Sequence, residues 1–285
     1  MFSYRHAFHA GSHADVFKHA VLVYLLRHFA QKEKTFWYID THAGAGAYDL
    51  RGDHAKKSGE SSTGIAALWG LAHLPEALLD YRDQVRQFNA VHASGDALRF
   101  YPGSPRLAMQ VLRRQDRLRL FELHSTDSRE LIRSLAGEAP RTIAQATDGF
   151  DGMTALLPPT SRRGMVMIDP SYEDKADYPR VVAALRGGIE RFATGTYMVW
   201  YPQVQRLEAQ QFPARLKRLQ AKGWLHATLT VKAAAEGGLG LNGSGIFVLN
   251  PPWTLSRMLA EILPVLVKHL GQDRKADFTM EESKR

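Results

Sequence analysis

The chain has 285 residues, 45% hydrophobic and 23% charged, which fits one large packed domain, or one with an inserted subdomain, and excludes global disorder. It contains no cysteine, so structural disulfides and thiolate metal sites are excluded and a reducing compartment is the simpler reading. A formal charge of +8 fits a polyanionic partner without requiring one, because phosphate neutralisation draws on Lys and Arg.

Met1 to His19 is rich in His and Arg and lacks an apolar run of signal-peptide length. The most apolar stretch, Val16 to Leu26, is interrupted by Lys18 and His19 and is too short to span a bilayer. A soluble cytoplasmic protein is expected. Ala14 to Gln31 carries apolar residues at helical spacing, with Ser12 placed to cap the start. Thr35 to Asp40 is aromatic and β-branched, as in a buried strand, and runs into the small-residue turn Thr41-His-Ala-Gly-Ala-Gly46. Helical patterns follow at Thr63 to Ala72 and Pro75 to Phe88.

Strands are predicted at Leu118–Leu123, Thr142–Ala146, Gly164–Ile168, Tyr197–Trp200, Leu225–Val231 and Ile246–Leu249. Helices are predicted between most of them, at Pro105–Arg114, Ser128–Ala136, Pro179–Phe192 and Glu208–Lys222. Strands alternating with helices imply a parallel α/β sheet. The last two strands are joined by a glycine-rich loop without a helix, which predicts an antiparallel hairpin at one edge. In a nucleotide-binding α/β unit an acid ends the second strand roughly 20 residues beyond the glycine loop. Here that acid is Glu122, far downstream of Gly46, so residues 50–103 are read as a helical insertion within a single domain spanning 1–285. The polar segment 271–285 is expected to be a flexible tail.

Four strand ends carry candidate chemistry. Asp40 to Gly46 is either a loop that lets a ligand approach the backbone or a plain strand-to-helix turn. Glu122 can accept two ribose hydroxyls, or be a solvated strand-end acid. Asp148-Gly149 can bind an adenine amino group beside a small residue, or form an ordinary Asp-Gly turn. Asp169-Pro170-Ser171-Tyr172 is the most specific of the four. An exocyclic amine such as adenine N6 is a poor nucleophile because its lone pair is delocalised. The Asp169 carboxylate and the Pro170 carbonyl can accept its two hydrogens and favour a pyramidal nitrogen. Tyr172 is then expected to stack on the extruded base.

Asp169-Pro-Ser-Tyr172 resembles the Asp/Asn-Pro-Pro-Tyr/Phe signature of amino-group methyltransferases that use S-adenosylmethionine. Ser3 to His19, Asp40 to Gly46, Tyr101 to Pro105, Ser161 to Gly164, Arg191 to Tyr197 with Trp200 to Pro202, and Asn250 to Trp253 resemble, more narrowly, the RlmJ family of bacterial 23S ribosomal RNA adenine-N6 methyltransferases. These blocks run nearly end to end. The resemblance implies a Rossmann-like α/β methyltransferase fold: a mostly parallel seven-stranded sheet with an antiparallel last strand and a small helical insertion. It implies S-adenosyl-L-methionine as cofactor, contacted by Lys18, His19, His42, Gly44, Gly46, Ser104, Glu122, Asp148, Gly149 and Asp169. Catalysis falls to Asp169, Pro170 and Tyr172, substrate binding to Tyr4 and Tyr172. The implied partner is 23S ribosomal RNA, with no metal and no membrane, and a monomer is expected. Ser104 before Pro105 also fits an N-cap.

The family pattern has proline where Ser171 stands. The first proline is kept as Pro170, so activity is expected to survive with a looser turn. Asn250-Pro-Pro-Trp253 fits the signature better, but it should end the antiparallel strand on the edge opposite the cofactor and so form a structural turn. The histidines at 6, 9, 13 and 19 have metal-like spacing but lack a completing Cys or carboxylate pair. They are expected to contact cofactor and RNA. Basic clusters at Arg113–Arg119, Arg162–Arg163 and Arg215–Lys222 are solvated faces or phosphate contacts. A DNA adenine-N6 methyltransferase and a non-catalytic RNA-binding protein on the same scaffold are the competing functions.

Overall fold

The computed structural model describes residues 6–93, 97–138, 141–235 and 240–283, and among these described residues the chain forms ten strands and ten α-helices. A 3-10 turn, His6–Phe8, leads into α1 (His13–Ala30) and β1 (Trp37–Asp40). Next come β2 (Ala47–Asp49), α2 (Asp53–Ser58), α3 (Ile65–Trp69), α4 (Glu76–His92) and β3 (Phe100–Pro102). The chain continues through α5 (Ser104–Val111), β4 (Arg117–Phe121), α6 (Ser125–Ser134), β5 (Thr142–Gln145), α7 (Gly149–Leu156) and β6 (Gly164–Ile168). It then forms α8 (Asp177–Arg191), β7 (Thr196–Gln203), α9 (Leu207–Leu216), β8 (Trp224–Thr230), β9 (Gly243–Leu249), α10 (Leu255–Leu270) and β10 (Asp277–Glu282).

Eight strands make one sheet in the order β10-β8-β9-β7-β6-β1-β4-β5. From β5 to β7 every pairing is parallel, and β9 runs antiparallel between β7 and β8. Every residue of β6 and β9 is buried, as expected for central strands covered on both faces. The carboxyl ends of β1, β4, β5 and β6 therefore open on one edge.

Two expectations are corrected at the other end of the sheet. The sheet has eight strands, not seven, and the described part of segment 271–285, up to Ser283, is not a loose tail. Asp277–Glu282 pairs antiparallel with β8 from Thr230 to Leu225, so the β8–β9 hairpin is not the edge. The segment is polar in composition, yet Phe278 and Met280 alternate with polar residues and pack against the core. Glu281 pairs with Lys217 and with His226 Nδ1 at 2.9 Å, and acidic edge residues discourage further strand addition.

The helical insertion is present, closed by the short β2–β3 ladder that pairs Tyr48 with Tyr101. Asn89 locks it: its Oδ1 accepts from the Arg99 and Phe100 N–H groups at 2.9 and 2.8 Å. The insertion covers α1 through α4, and 14 of the 18 residues of α1 are buried. That helix is part of the core, so each charged side chain on it needs a partner. Ser12 caps it as predicted, its side chain accepting from the Asp15 N–H.

At the amino edge, Arg113 grips Asp116 with two nitrogens at 2.9 and 3.0 Å and donates to the Ala30 and Lys32 carbonyls. Arg163 donates to Phe29 and Lys34 carbonyls. These two arginines clip the loop before β1, which accounts for them without RNA. Among the described residues no helix is long and apolar enough to cross a membrane.

Deleting residues 272–285 is expected to lower the thermal midpoint by more than about 5 °C, because it strips the cover from β8. Cofactor affinity should hold, since β10 lies at the far edge from the cleft. Differential scanning fluorimetry with and without ligand checks both.

Candidate active site

The carboxyl ends of β1, β4, β5 and β6 enclose a cleft of about 990 Å³, part of it open to solvent. Lys18, His19, His42, Gly44, Ser104, Glu122, Asp148, Gly149, Asp169 and Pro170 all line it.

The loop after β1 curls back on itself. Gly44 has φ +62°, which a side chain rarely adopts, and its N–H donates to Glu122 Oε2 at 2.7 Å. The His124 N–H donates to Glu122 Oε1, also at 2.7 Å. Two backbone donors thus orient the Glu122 carboxylate at the end of β4. Burial still pushes its pKa up, against those hydrogen bonds. Asp40 is fully buried beneath the loop and takes a 2.9 Å bond from the Tyr38 hydroxyl. His42 stands edge-on to Phe150 and burial lowers it to about 4, so it is neutral at pH 7.

Asp148 caps α7 by accepting from the Phe150 and Asp151 N–H groups, while Arg180 Nη2 holds its other oxygen at 2.6 Å. Gly149 has to be glycine for a reason inside the protein. A Cβ there would lie 1.9 Å from the Thr41 carbonyl oxygen. On that side the close approach is by backbone.

Asp169 follows β6 and is held from across the sheet. Lys18 Nζ donates to its Oδ2 at 2.6 Å and lies 2.9 Å from Asp15 Oδ1. Burial raises Asp169 to about 6, with Lys18 pulling the other way. For Lys18, burial disfavours the charge, but Asp15 and Asp169 outweigh it and hold the ammonium above its usual range. The pair is ionised at neutral pH.

A family model described as ribosomal RNA large subunit methyltransferase D, RlmJ, matches residues 33–281. The chain belongs to this family. Ribosomal RNA large subunit methyltransferase J of Haemophilus influenzae is 42% identical over 281 residues, covering 99% of this chain and 98% of the relative. The protein of that name in Escherichia coli is 45% identical over 269 residues, covering 93% of each. A solved Legionella pneumophila protein superposes with a TM-score of 0.88 at 33% identity, covering 97% of this chain and 99% of that one. The protein is thus a methyltransferase of the RlmJ family with a Rossmann-like fold.

Four expected site residues need correction or fall outside the description. Tyr172 does not face the cleft. It is 2% exposed, its hydroxyl donates to the Trp200 carbonyl at 2.8 Å, and its ring packs on Tyr178, Trp200 and Phe212. Its φ of +55° turns the side chain into this aromatic cluster. Asp177 accepts its N–H at 3.1 Å and Arg206 donates to its carbonyl at 3.2 Å, which holds the unusual backbone in place. A ring buried this way cannot stack on a base. Gly46 also lies off the cleft lining, where its carbonyl accepts the Gly103 N–H at 2.9 Å. Ser104 lines the cleft but is not an N-cap: it is the first residue of α5, after the cap Gly103. Tyr4 lies outside the described residues.

The histidines divide their roles. His6 and His19 line the cleft, His19 bonding the Tyr101 hydroxyl at 2.7 Å, while His9 bonds Glu60 at 3.0 Å. Burial lowers His13 to about 4 and His19 to about 3. No group of three metal-binding side chains occurs among the described residues. Asn250 ends β9 beside the start of β7, on the edge away from the cleft, where it bonds the Ala193 and Gly195 carbonyls. That is the expected structural turn. Residues missed from sequence are Thr41, His124, Asp127, Asp177 and Arg180. His124 and Asp127 follow the end of β4, so the strand-end rule that located Glu122 could have reached them.

Gly149→Ala should destabilise the fold by about 1–3 kcal/mol, because its methyl meets a backbone carbonyl that cannot easily move. Tyr172→Phe removes one buried hydrogen bond, so a loss of about 1 kcal/mol in chemical denaturation is expected, with turnover within a few-fold of the parent. A collapse of turnover at unchanged stability would return Tyr172 to the base.

Proposed function

We propose that the protein transfers the methyl group of S-adenosylmethionine to the exocyclic N6 of an adenine in 23S ribosomal RNA. The observation that carries this reading is the meeting of Asp169-Pro170 and Glu122 in one cleft of a methyltransferase of the RlmJ family. The names of the relatives, ribosomal RNA large subunit methyltransferase J, support ribosomal RNA as the substrate class.

The cleft chemistry fits a cationic adenosine derivative. Five carboxylates line it (Glu122, Asp127, Asp148, Asp169 and Asp177) against two permanent cations, Lys18 and Arg180. Such a surplus of acid favours a sulfonium. Glu122, held by the Gly44 and His124 amides, would accept from the ribose hydroxyls. Asp148 and Gly149 would flank the adenine, with Lys18, His19, His42 and Ser104 completing the cofactor set. When bound, S-adenosylmethionine supplies an electrophilic methyl carbon.

Asp169 and Pro170 act on the target amine. The carboxylate and the proline carbonyl accept the two N6 hydrogens and direct the lone pair at the methyl. With the methyl group passing from sulfur to N6, the amine would shed one proton, and Asp169 would take it. Lys18 keeps the carboxylate charged in a buried site, so no change of ionisation precedes the step. The work is positioning and electrostatics.

Asp169→Ala is expected to keep cofactor affinity within a few-fold and remove most turnover on 23S ribosomal RNA, measured by isothermal titration and methyl incorporation; unchanged turnover refutes the role. Because the ionised carboxylate is the stronger acceptor and the form that can take the N6 proton, kcat should fall on acidification with a midpoint at or below about 6. A bound sulfonium favours the charged form and shifts the midpoint downward. The residual activity of Asp169→Asn, which cannot titrate, should lack this limb.

A further inference from the structure

Behind Lys18 sits a second buried carboxylate that does not line the cleft. Asp15 is 1% exposed and lies one helical turn before Lys18, so both side chains share a face of α1. Its oxygens have separate duties. Oδ2 accepts from His6 Nε2 and from the Gly11 N–H, both at 2.9 Å. Oδ1 lies 2.9 Å from Lys18 Nζ and 4.0 Å from His19 Nδ1.

We propose that Asp15 is a positioning residue for methyl transfer, acting through Lys18 to set the aim and the charge of the Asp169 carboxylate. The inference rests on Asp169 being the acceptor of the target amine. A lysine stem is flexible, and one partner alone leaves its ammonium free to swing. Carboxylates on both sides of Lys18 hold it still, at 2.9 Å from Asp15 and 2.6 Å from Asp169. With Asp169 Oδ2 engaged in a fixed direction, Oδ1 is left to meet N6. The second effect is on charge. An ammonium committed to a single carboxylate would neutralise it and weaken it as an acceptor. Asp15 shares that ammonium, so Asp169 keeps more of its negative charge.

The titratable groups acting on Asp169 are Lys18, His6 and Asp15, with Tyr38 from β1 and Tyr172 from its own turn. Around Asp15 stand His6, Lys18 and His19, with His9 and His13 farther out. The direction of the effect follows. Asp15 raises the Asp169 pKa, and Lys18 lowers it. Removing the Asp15 charge takes away the first influence and commits Lys18 wholly to Asp169. Both changes move the acid limb of kcat to lower pH.

The test uses the full-length protein with 23S ribosomal RNA and S-adenosylmethionine. Asp15→Asn is expected to lower kcat by about tenfold while the cofactor Kd and RNA KM stay within about threefold. Its acid limb should move downward, and Asp15→Glu should restore kcat to within about threefold of the parent. In a Lys18→Met background, Asp15→Asn should add no further loss, as expected of two residues acting as one unit. Asp15→Ser, which still offers Gly11 an acceptor, replaces the asparagine variant if that one does not fold. An unmoved acid limb and unchanged kcat, with only a lower thermal midpoint, would reduce Asp15 to a pin for Gly11 and overturn the proposal. Independent, additive losses in the Lys18→Met background would do the same. Full turnover in Asp169→Ala would instead overturn the reading of Asp169, a separate result.

Discussion

The Lys18 ammonium, buried between Asp15 and Asp169, joins the first helix to the carboxyl end of β6. Removing one member of a buried ion pair leaves a charge without a partner, at a cost of about 3–5 kcal/mol. The three side chains therefore stand or fall together. Their arrangement requires α1 to be almost wholly enclosed, and the helical insertion, α5 and α10 enclose it. The insertion is thus more than a surface addition. By covering α1 it desolvates the charges that hold the Asp169 carboxylate.

The same edge of the sheet explains why acids dominate the cleft. Parallel strands β1, β4, β5 and β6 end together; Glu122, Asp148 and Asp169 follow their ends and line the cleft, while Asp40 closes β1 buried beneath it. Each acid has a different restraint. Glu122 is held by backbone amides, Asp148 by a helix start and Arg180, Asp169 by Lys18, and Asp40 by Tyr38. Restraint by fixed donors keeps these acids from collapsing onto shared cations.

The Asp169-Pro-Ser-Tyr172 turn divides into two halves. Asp169, Pro170 and Ser171 face the cleft, while Tyr172 turns inward at positive φ and joins an aromatic cluster with Tyr178, Trp200 and Phe212. The tyrosine acts as the anchor of the turn. Its hydroxyl reaches the Trp200 carbonyl on β7, so the segment carrying Asp169 is fastened to the neighbouring strand.

The core alternation of strands and helices from β4 to β9, the insertion, the Ser12 cap and the acids at strand ends were legible in the sequence, because they depend on local periodicity, capping chemistry and spacing; α7, α10 and the short β2–β3 ladder were not read from it. Glu122 was found by its place at a strand end, and the low weight of Asn250-Pro-Pro-Trp253 by the direction of its strand. Three matters were decided only by the tertiary structure. Whether Tyr172 faces a ligand or the core depends on a single backbone angle and on aromatic residues more than five positions away in the chain. Whether 277–282 is a tail or a strand depends on an open edge of β8, which a polar segment with two alternating apolar residues can complete. The pairing of Asp15, Lys18 and Asp169 joins residues 151 positions apart. No local pattern encodes that meeting, since it exists only once burial has removed the water that would otherwise satisfy each charge.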